Sequence, residues 1–406
     1  MAVPGLSETQ AYANLFGQSL LADTPYWQQY LQDQANNPPA LQGKRDQIMT
    51  HIRFALDLEP AWPSTLALIE TFSPYMQQWG YWQAWGQVLD KAMAAARRAH
   101  DFKKGADLAV TLALMFQRQS RFPEAVSRYR QAIRLARQAG HPFALARAYT
   151  NLGYLYTEQG YWRRAEVLCC RALELFEQID NPYGQAHTEN HLGVLYSRQG
   201  RWEQAQQRLE RACAIWRSSG DPHGLLRGFI NFSLLYLKLE QPEPALAYLV
   251  KAQQQAQLTG DETAPGPIYV NMAIAYQLQG DLAAAERYNR QAETIFRQSS
   301  NWSELARVWG NLGLVYVGQK KWPEAMFHLE HSLQTWRQLG SKTGEVETLL
   351  SCVEYDLARQ NEPQAVARLA EVEALVGQIS GQAQRYHYHA QIDQYRRSLS
   401  ARSETP

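Results

Sequence analysis

One triplet class returns every 40 residues along this chain: Asn151-Leu152-Gly153, His191-Leu192-Gly193, Asn231-Phe232-Ser233, Asn271-Met272-Ala273 and Asn311-Leu312-Gly313. A tyrosine follows each one (Tyr156, Tyr196, Tyr236, Tyr276, Tyr316), and nine residues later comes an alanine (Ala165, Ala205, Ala245, Ala285, Ala325). Seven further on stand Ala172, Ala212, Ala252 and Ala292, then Ser332. A fixed period of this length means that one supersecondary unit is copied, each copy burying its apolar face against its neighbours. Such a chain folds as a solenoid and works through a long surface.

Each unit reads as two helices. Over 144–159 the residues Leu145, Ala148, Tyr149, Leu152, Leu155 and Tyr156 fall at helical spacing on one wide face. Gly160 stops that helix, as Gly200 and Gly280 do in later units. The second helix, over 163–179, buries Ala165, Leu168, Cys169, Ala172, Leu173 and Phe176, and Asp180-Asn181-Pro182 ends it. Gly153 and Ala165 are small enough to let the paired helices approach, with Tyr156 filling the space beside them. Outward the beat weakens. Leu112, Ala113 and Phe116 hold it upstream, then Gly80-Tyr81-Trp82 and Ala92; downstream Ala365 keeps phase while Asp356 takes the tyrosine position.

The pattern predicts about eight units over 64–380, a helical cap over 1–63, and a capping helix with a frayed tail over 381–406. In the first cap, Ser7-Glu8-Thr9-Gln10 reads as a capping box opening a helix to about Tyr30. Asn36-Asn37-Pro38-Pro39 breaks it, and 41–58 reads as the next helix. The last helix is expected over 382–399, with 400–406 frayed.

These quoted residues resemble the tetratricopeptide repeat. Its Leu-Gly-x-x-Tyr first helix and paired alanines are met by Leu152, Gly153, Tyr156, Ala165 and Ala172. The usual unit is about 34 residues; this chain looks like the 40-residue class. That class includes Leu-Gly-Asn-type polarity adaptors, kinesin light chains, bacterial Rap-type peptide-responsive regulators and the sensor arms of bacterial STAND ATPases. The resemblance implies an all-α, right-handed α-solenoid of about eight helix-turn-helix units with helical caps.

In such solenoids the first helices line a concave groove. With Leu152 and Tyr156 in the core, the groove stripe is Arg147, Asn151, Tyr154 and Glu158. Along the chain this gives an asparagine rung of Asn151, His191, Asn231, Asn271 and Asn311. The basic rung is Arg147, His187, Arg227, Pro267 and Arg307, over a floor of Tyr154, Val194, Leu234, Ile274 and Leu314. An asparagine amide donates and accepts, so a row of them can pair the backbone of an extended segment. Arginines can fork onto carboxylates. Members of the 40-residue class hold peptides, often acidic ones, at these places. Peptide-binding candidates are therefore Arg147, Asn151, Tyr154, His187, His191, Arg227, Asn231, Asn271, Arg307 and Asn311. His191 and Pro267 interrupt the pattern. The plainer alternative is that the asparagines only satisfy neighbouring helix carbonyls.

Apolar residues make up 45% of the 406, with 12 Trp and 22 Tyr, so a large core is available. A net charge of +1 offers no electrostatic case for nucleic acid or an anionic membrane. Cys169, Cys170, Cys213 and Cys352 form no CxxC and are expected to be reduced and structural. Gln10, Asn14, Gln18 and Asp23 interrupt any apolar leader, and no stretch approaches the roughly 20 apolar residues that span a bilayer. The expectation is a cytoplasmic protein without membrane insertion. His187 and His191 share a face, but no third metal ligand is evident; His387 and His389 read as surface residues. Trp82 shares phase with Trp162, Trp202 and Trp322, which favours packing at the turn over a ligand cage, while Trp79 and Trp85 are less regular. There is no Walker A, Rossmann or Gly-x-Ser-x-Gly motif, so no catalysis, cofactor or metal is expected. What remains is an adaptor or scaffold that holds a peptide segment of a partner in its groove. The alternatives are a peptide-responsive regulatory sensor, or an assembly factor acting through the convex face. The oligomeric state is open.

Overall fold

The computed structural model describes residues 8–35, 37–119, 121–379 and 381–403, and these are helical apart from short turns. Ser7 of the expected capping box, Asn36 of the expected break and residues 404–406 of the tail lie outside them. Helix α1 (Glu8–Asp33) runs past Tyr30, α2 spans Pro38–Ala55, and a 3-10 turn, Glu59–Ala61, leads into the hairpins. These are α3/α4 (Trp62–Gln78, Trp82–Arg98), α5/α6 (Phe102–Arg118, Phe122–Gln138), α7/α8 (Pro142–Glu158, Trp162–Gln178) and α9/α10 (Pro182–Arg198, Trp202–Ser218). There follow α11/α12 (Pro222–Lys238, Pro242–Thr259), α13/α14 (Pro265–Leu278, Leu282–Gln298), α15/α16 (Trp302–Gly318, Trp322–Leu339) and α17/α18 (Lys342–Ala358, Glu362–Val376). A last helix, α19 (Gln382–Ser403), carries residues 400–403 that were expected to fray. The architecture is all-α, built of paired helix-turn-helix repeats of the α-solenoid class.

The backbone keeps the beat more strictly than the side chains do. Among the described residues, left-handed φ angles fall at Gly80, His100, Gly140, Gly160, Asp180, Gly200, Gly220, Glu240, Gly260, Gly280, Ser300, Lys320, Gly340 and Gln360, all at multiples of 20. Each closes a helix. The amide after the left-handed residue reaches back five residues, as Tyr161 N to Tyr156 O at 2.8 Å and Asp101 N to Ala96 O at 2.8 Å, satisfying carbonyls the helix leaves open. The next helix is often capped at once: Asp101, Asn181, Asp221, Asp281, Asn301, Ser341 and Asn361 each accept an amide of the first turn. Between Gly260 and Pro265 the connection is longer and α13 starts late. Pro267 then sits in the first turn of α13, where its missing N–H is not needed.

Ala125, Ala165, Ala205, Ala245, Ala285, Ala325 and Ala365 are all 0% exposed. Where a first helix carries glycine its partner comes very close: a Cβ on Gly193 would lie 2.7 Å from Leu209, and on Gly313 2.6 Å from Leu329. In three successive hairpins the repeat tyrosine stacks on a ring of the second helix: Tyr236 on Tyr248, Tyr276 on Tyr288, Tyr316 on His328. In α17 that tyrosine becomes Asp356, and the ring position in α18 becomes Arg368. The stack is replaced by a buried ion pair of 2.6 Å.

The chain divides into two compact units, residues 1–155 with 174–179, and residues 156–173 with 180–406. In the first, Trp85 and Phe72 pack edge to face and the Trp85 indole donates to Ser73, so Trp85 belongs to the α3/α4 core. Trp79 packs on the same Phe72. In the second, α17, α18 and α19 share a core that includes Leu349, Val353, Leu369, Tyr388 and Ile392. Cys169, Cys213 and Cys352 are buried and unpaired, and Cys170 is half-buried.

Candidate functional site

The second unit contains a cavity of about 860 Å³. Helix α9 contributes Val194, Ser197 and Arg198 to its wall, and α11 contributes Asn231, Leu234 and Lys238. In the 40-residue frame Val194, Arg198, Asn231, Leu234 and Lys238 hold the places of Tyr154, Glu158, Asn151, Tyr154 and Glu158 in α7, and Ser197 that of Thr157. The same stripe returns on α17 as Glu347, Ser351 and Glu354. It returns again on α19, where His387 holds the basic-rung place and Gln391 the amide-rung place. Helix α19 is in phase with α17 and is in effect a ninth first helix. The face that would meet a second helix carries His389, Asp393 and Arg396 where other units have Tyr149, Gly153 and Tyr156. A polar outer face is what a terminal repeat requires.

Of the ten candidates, only Asn231 and Arg307 line this cavity. Arg147, Asn151 and Tyr154 belong to the first unit. There Arg147 lies 3.7 Å from Asp107 and over the Phe143 ring, and Asn151 donates to the Arg147 carbonyl of its own helix at 3.0 Å. In the second unit Asn231 donates to Asn190 Oδ1 at 2.7 Å, and Asn271 is buried. Asn311 keeps a buried Nδ2 without a protein partner. For Asn151 and Asn231 the amide is thus engaged inside the protein, by a carbonyl of its own helix in the first case and by a side-chain amide in the second.

His187 and His191 form a neutral pair. His187 Nδ1 accepts from Arg227 Nη1 at 2.8 Å, and the ring packs against Tyr183 and the edge of Trp216. Burial, then the Arg227 charge, pushes the His187 pKa down to about 4. Burial, then His187 and Arg227, takes His191 to about 3. A guanidinium at bonding distance from His187 would repel a metal ion placed there.

The cavity is mixed in charge. Arg198 pairs with Glu158 at 2.7 Å and Arg307 with Glu304 at 3.1 Å. Lys238 reaches solvent inside the cavity. Crowding by the walls, and then the neighbouring Arg198, lower its pKa despite the opposing pull of Glu158. Tyr388 of α19 donates to Glu347 at 3.1 Å and Tyr395 to Glu354 at 2.6 Å. At the rim Gln384 Nε2 donates to the Glu158 carbonyl at 2.9 Å, and Gly381 comes so close to Gln159 that a Cβ would sit 2.7 Å from its carbonyl oxygen. The rungs legible from periodicity end at Asn311, because Glu347 and Ser351 change their chemistry without changing their phase.

Helical hairpins in 40-residue register, alanine-packed and presenting a repeated stripe, define a tetratricopeptide-repeat protein. Residues 86–383 match the MalT-like TPR region, and the chain belongs to that family. No curated protein matches it. Among solved structures it is similar to aspartyl phosphate phosphatase F from Bacillus subtilis (12% identity, TM-score 0.59, covering 94% of this chain and 98% of that one). It is also similar to the Rap conjugation gene regulator of plasmid pLS20 in complex with the Phr* peptide (12% identity, TM-score 0.56, 80% and 97%). A third is the STAND protein with a tetratricopeptide repeat sensor from Pyrococcus horikoshii (13% identity, TM-score 0.55, 88% and 55%). At such identities the likeness is one of fold. None of the described helices is long and apolar enough to cross a membrane.

Proposed function

We propose that this chain is a non-catalytic interaction module that holds a peptide segment of a partner against the first-helix stripe of its second unit. In this reading residues 1–63 cap the repeats at one end and residues 381–406 at the other. The observation that carries it is the cavity of about 860 Å³, into which the stripe positions of α9, α11, α17 and α19 converge with amides, charges and the apolar Val194, Leu234 and Leu350. Tetratricopeptide repeats are in general protein- and peptide-binding modules, and one structure of similar fold is a complex with a peptide. Arg147 and Arg227 are not needed for the site, since the first is in the other unit and the second is held by His187.

The test is capture of partners from the native host by the intact chain, by Lys238→Glu/Arg307→Glu, and by Arg147→Glu. The cavity variant should lose the partner that both other forms retain. Equal capture by all three would move binding to the convex face. A second reading, a sensor whose hairpins shift when a peptide binds, draws on the Gln384–Glu158 bridge at the cavity rim. It predicts a change in the small-angle scattering profile on binding, where a rigid scaffold gives none.

A further inference from the structure

The cavity leaves specific charges uncompensated. Among the described residues Arg198 and Arg307 have carboxylate partners, whereas Lys238 has neither an ion pair nor a hydrogen bond and feels Glu158 only at longer range. Glu347 and Glu354 each accept a tyrosine hydroxyl, but neither forms an ion pair among the described residues. Both sit on one face of α17, about 10 Å apart by helical rise. The open valences of the wall are therefore one ammonium beside Arg198 and two carboxylates along α17. The size is right for a short chain: ligand pockets run roughly 300–1,000 Å³, and this one holds about 860 Å³.

We infer that the cavity selects an oligopeptide carrying both signs, with a carboxylate docked at Lys238 beside Arg198 and basic groups docked along Glu347 and Glu354. This rests on the peptide-holding reading and deepens it. A purely acidic segment would satisfy Lys238 and then meet Glu347 and Glu354 as like charges, which costs affinity and gives discrimination. The hydroxyls of Tyr388 and Tyr395 hold the two carboxylates in place, so α19 is part of the recognition wall as well as a cap. The ligand carboxylate could come from an Asp or Glu side chain or from a chain terminus.

The experiment uses the full chain and short fluorescein-labelled peptides with Ala, Leu and Asn spacers, read by anisotropy. One set carries Glu and Lys together, a second only Glu, a third only Lys, each made with a free and an amidated C-terminus. The mixed set should bind about ten-fold more tightly than either single-sign set, the scale of one charge-assisted hydrogen bond. Lys238→Met should remove the preference of mixed over Lys-only peptides, and Glu347→Gln/Glu354→Gln the preference of mixed over Glu-only peptides. If the docked carboxylate is a chain terminus, Lys-only peptides with a free C-terminus bind like the mixed set and lose that binding on amidation; if it is a side chain, the mixed set keeps its advantage when amidated. Glu-only peptides binding as well as mixed ones, or variants that leave the preferences unchanged, overturn it while a peptide groove still stands. Binding by none of the sets removes the peptide reading itself.

Discussion

Glu240, Lys320 and Gln360 hold left-handed φ angles of 54°, 59° and 61° in places where other repeats have glycine. A side chain with a Cβ gives up about 1–2 kcal/mol in that conformation, part of which glycine returns as unfolded-chain entropy. Glu240→Gly should therefore raise stability by roughly 0.5–1 kcal/mol, seen as a higher midpoint in urea with an unchanged slope. Asn289 is a second local misfit. It is 0% exposed and neither amide atom has a protein partner, in the place where other second helices carry Leu209, Leu249 and Leu329. Asn289→Leu should stabilise by about 1–3 kcal/mol, the cost of an unmet buried polar group; a lower melting temperature would show that water satisfies the amide. The core residues were legible in the sequence because Leu, Tyr and Ala must recur wherever identical hairpins stack. The partners of His187 and Asn231 were not, because a hydrogen bond between repeats depends on which neighbours have departed from the pattern.

Among the elements, the α17/α18 hairpin shows two coupled departures from the repeat. Asp356 and Arg368 replace an aromatic stack, with side chains 3% and 19% exposed. Arg368→Ala should cost about 3–5 kcal/mol, because it leaves a buried carboxylate without its cation. The double change Asp356→Tyr/Arg368→His, which restores the ring pair of the preceding hairpin, should be near neutral. Thermal melts of Asp356→Tyr, Arg368→His and the double variant measure the coupling, and additive losses would mean the two positions act independently. Periodicity alone exposed Asp356 as irregular, but only the paired position in the second helix explains it. The helix α19 was legible as a cap. Its identity as a ninth first helix was hidden because its core positions turn polar on the side that lacks a partner.

For the whole molecule, acid should be the weak point. His187, His191 and His328 are kept neutral by burial, with pKa values pushed down to about 4, 3 and 4, and neighbouring arginines add to the effect. The unfolded chain takes up these protons near pH 6.5, while the folded chain resists until pH 3–4. Stability is thus complete above about pH 6.5 and falls as pH drops towards 4, by on the order of a few kcal/mol in all. His191→Asn, which restores the residue of the other units, should flatten this dependence in urea titrations at a series of pH values; an unchanged slope would exclude His191 as a contributor. The recurring left-handed residues also make the chain a length gauge. An inserted or deleted residue inside a helix turns everything after it by about 100°, so that core positions become surface and surface positions core. The connection between Gly260 and Pro265 has slack, and there the chain can gain or lose length without resetting the phase of every hairpin downstream.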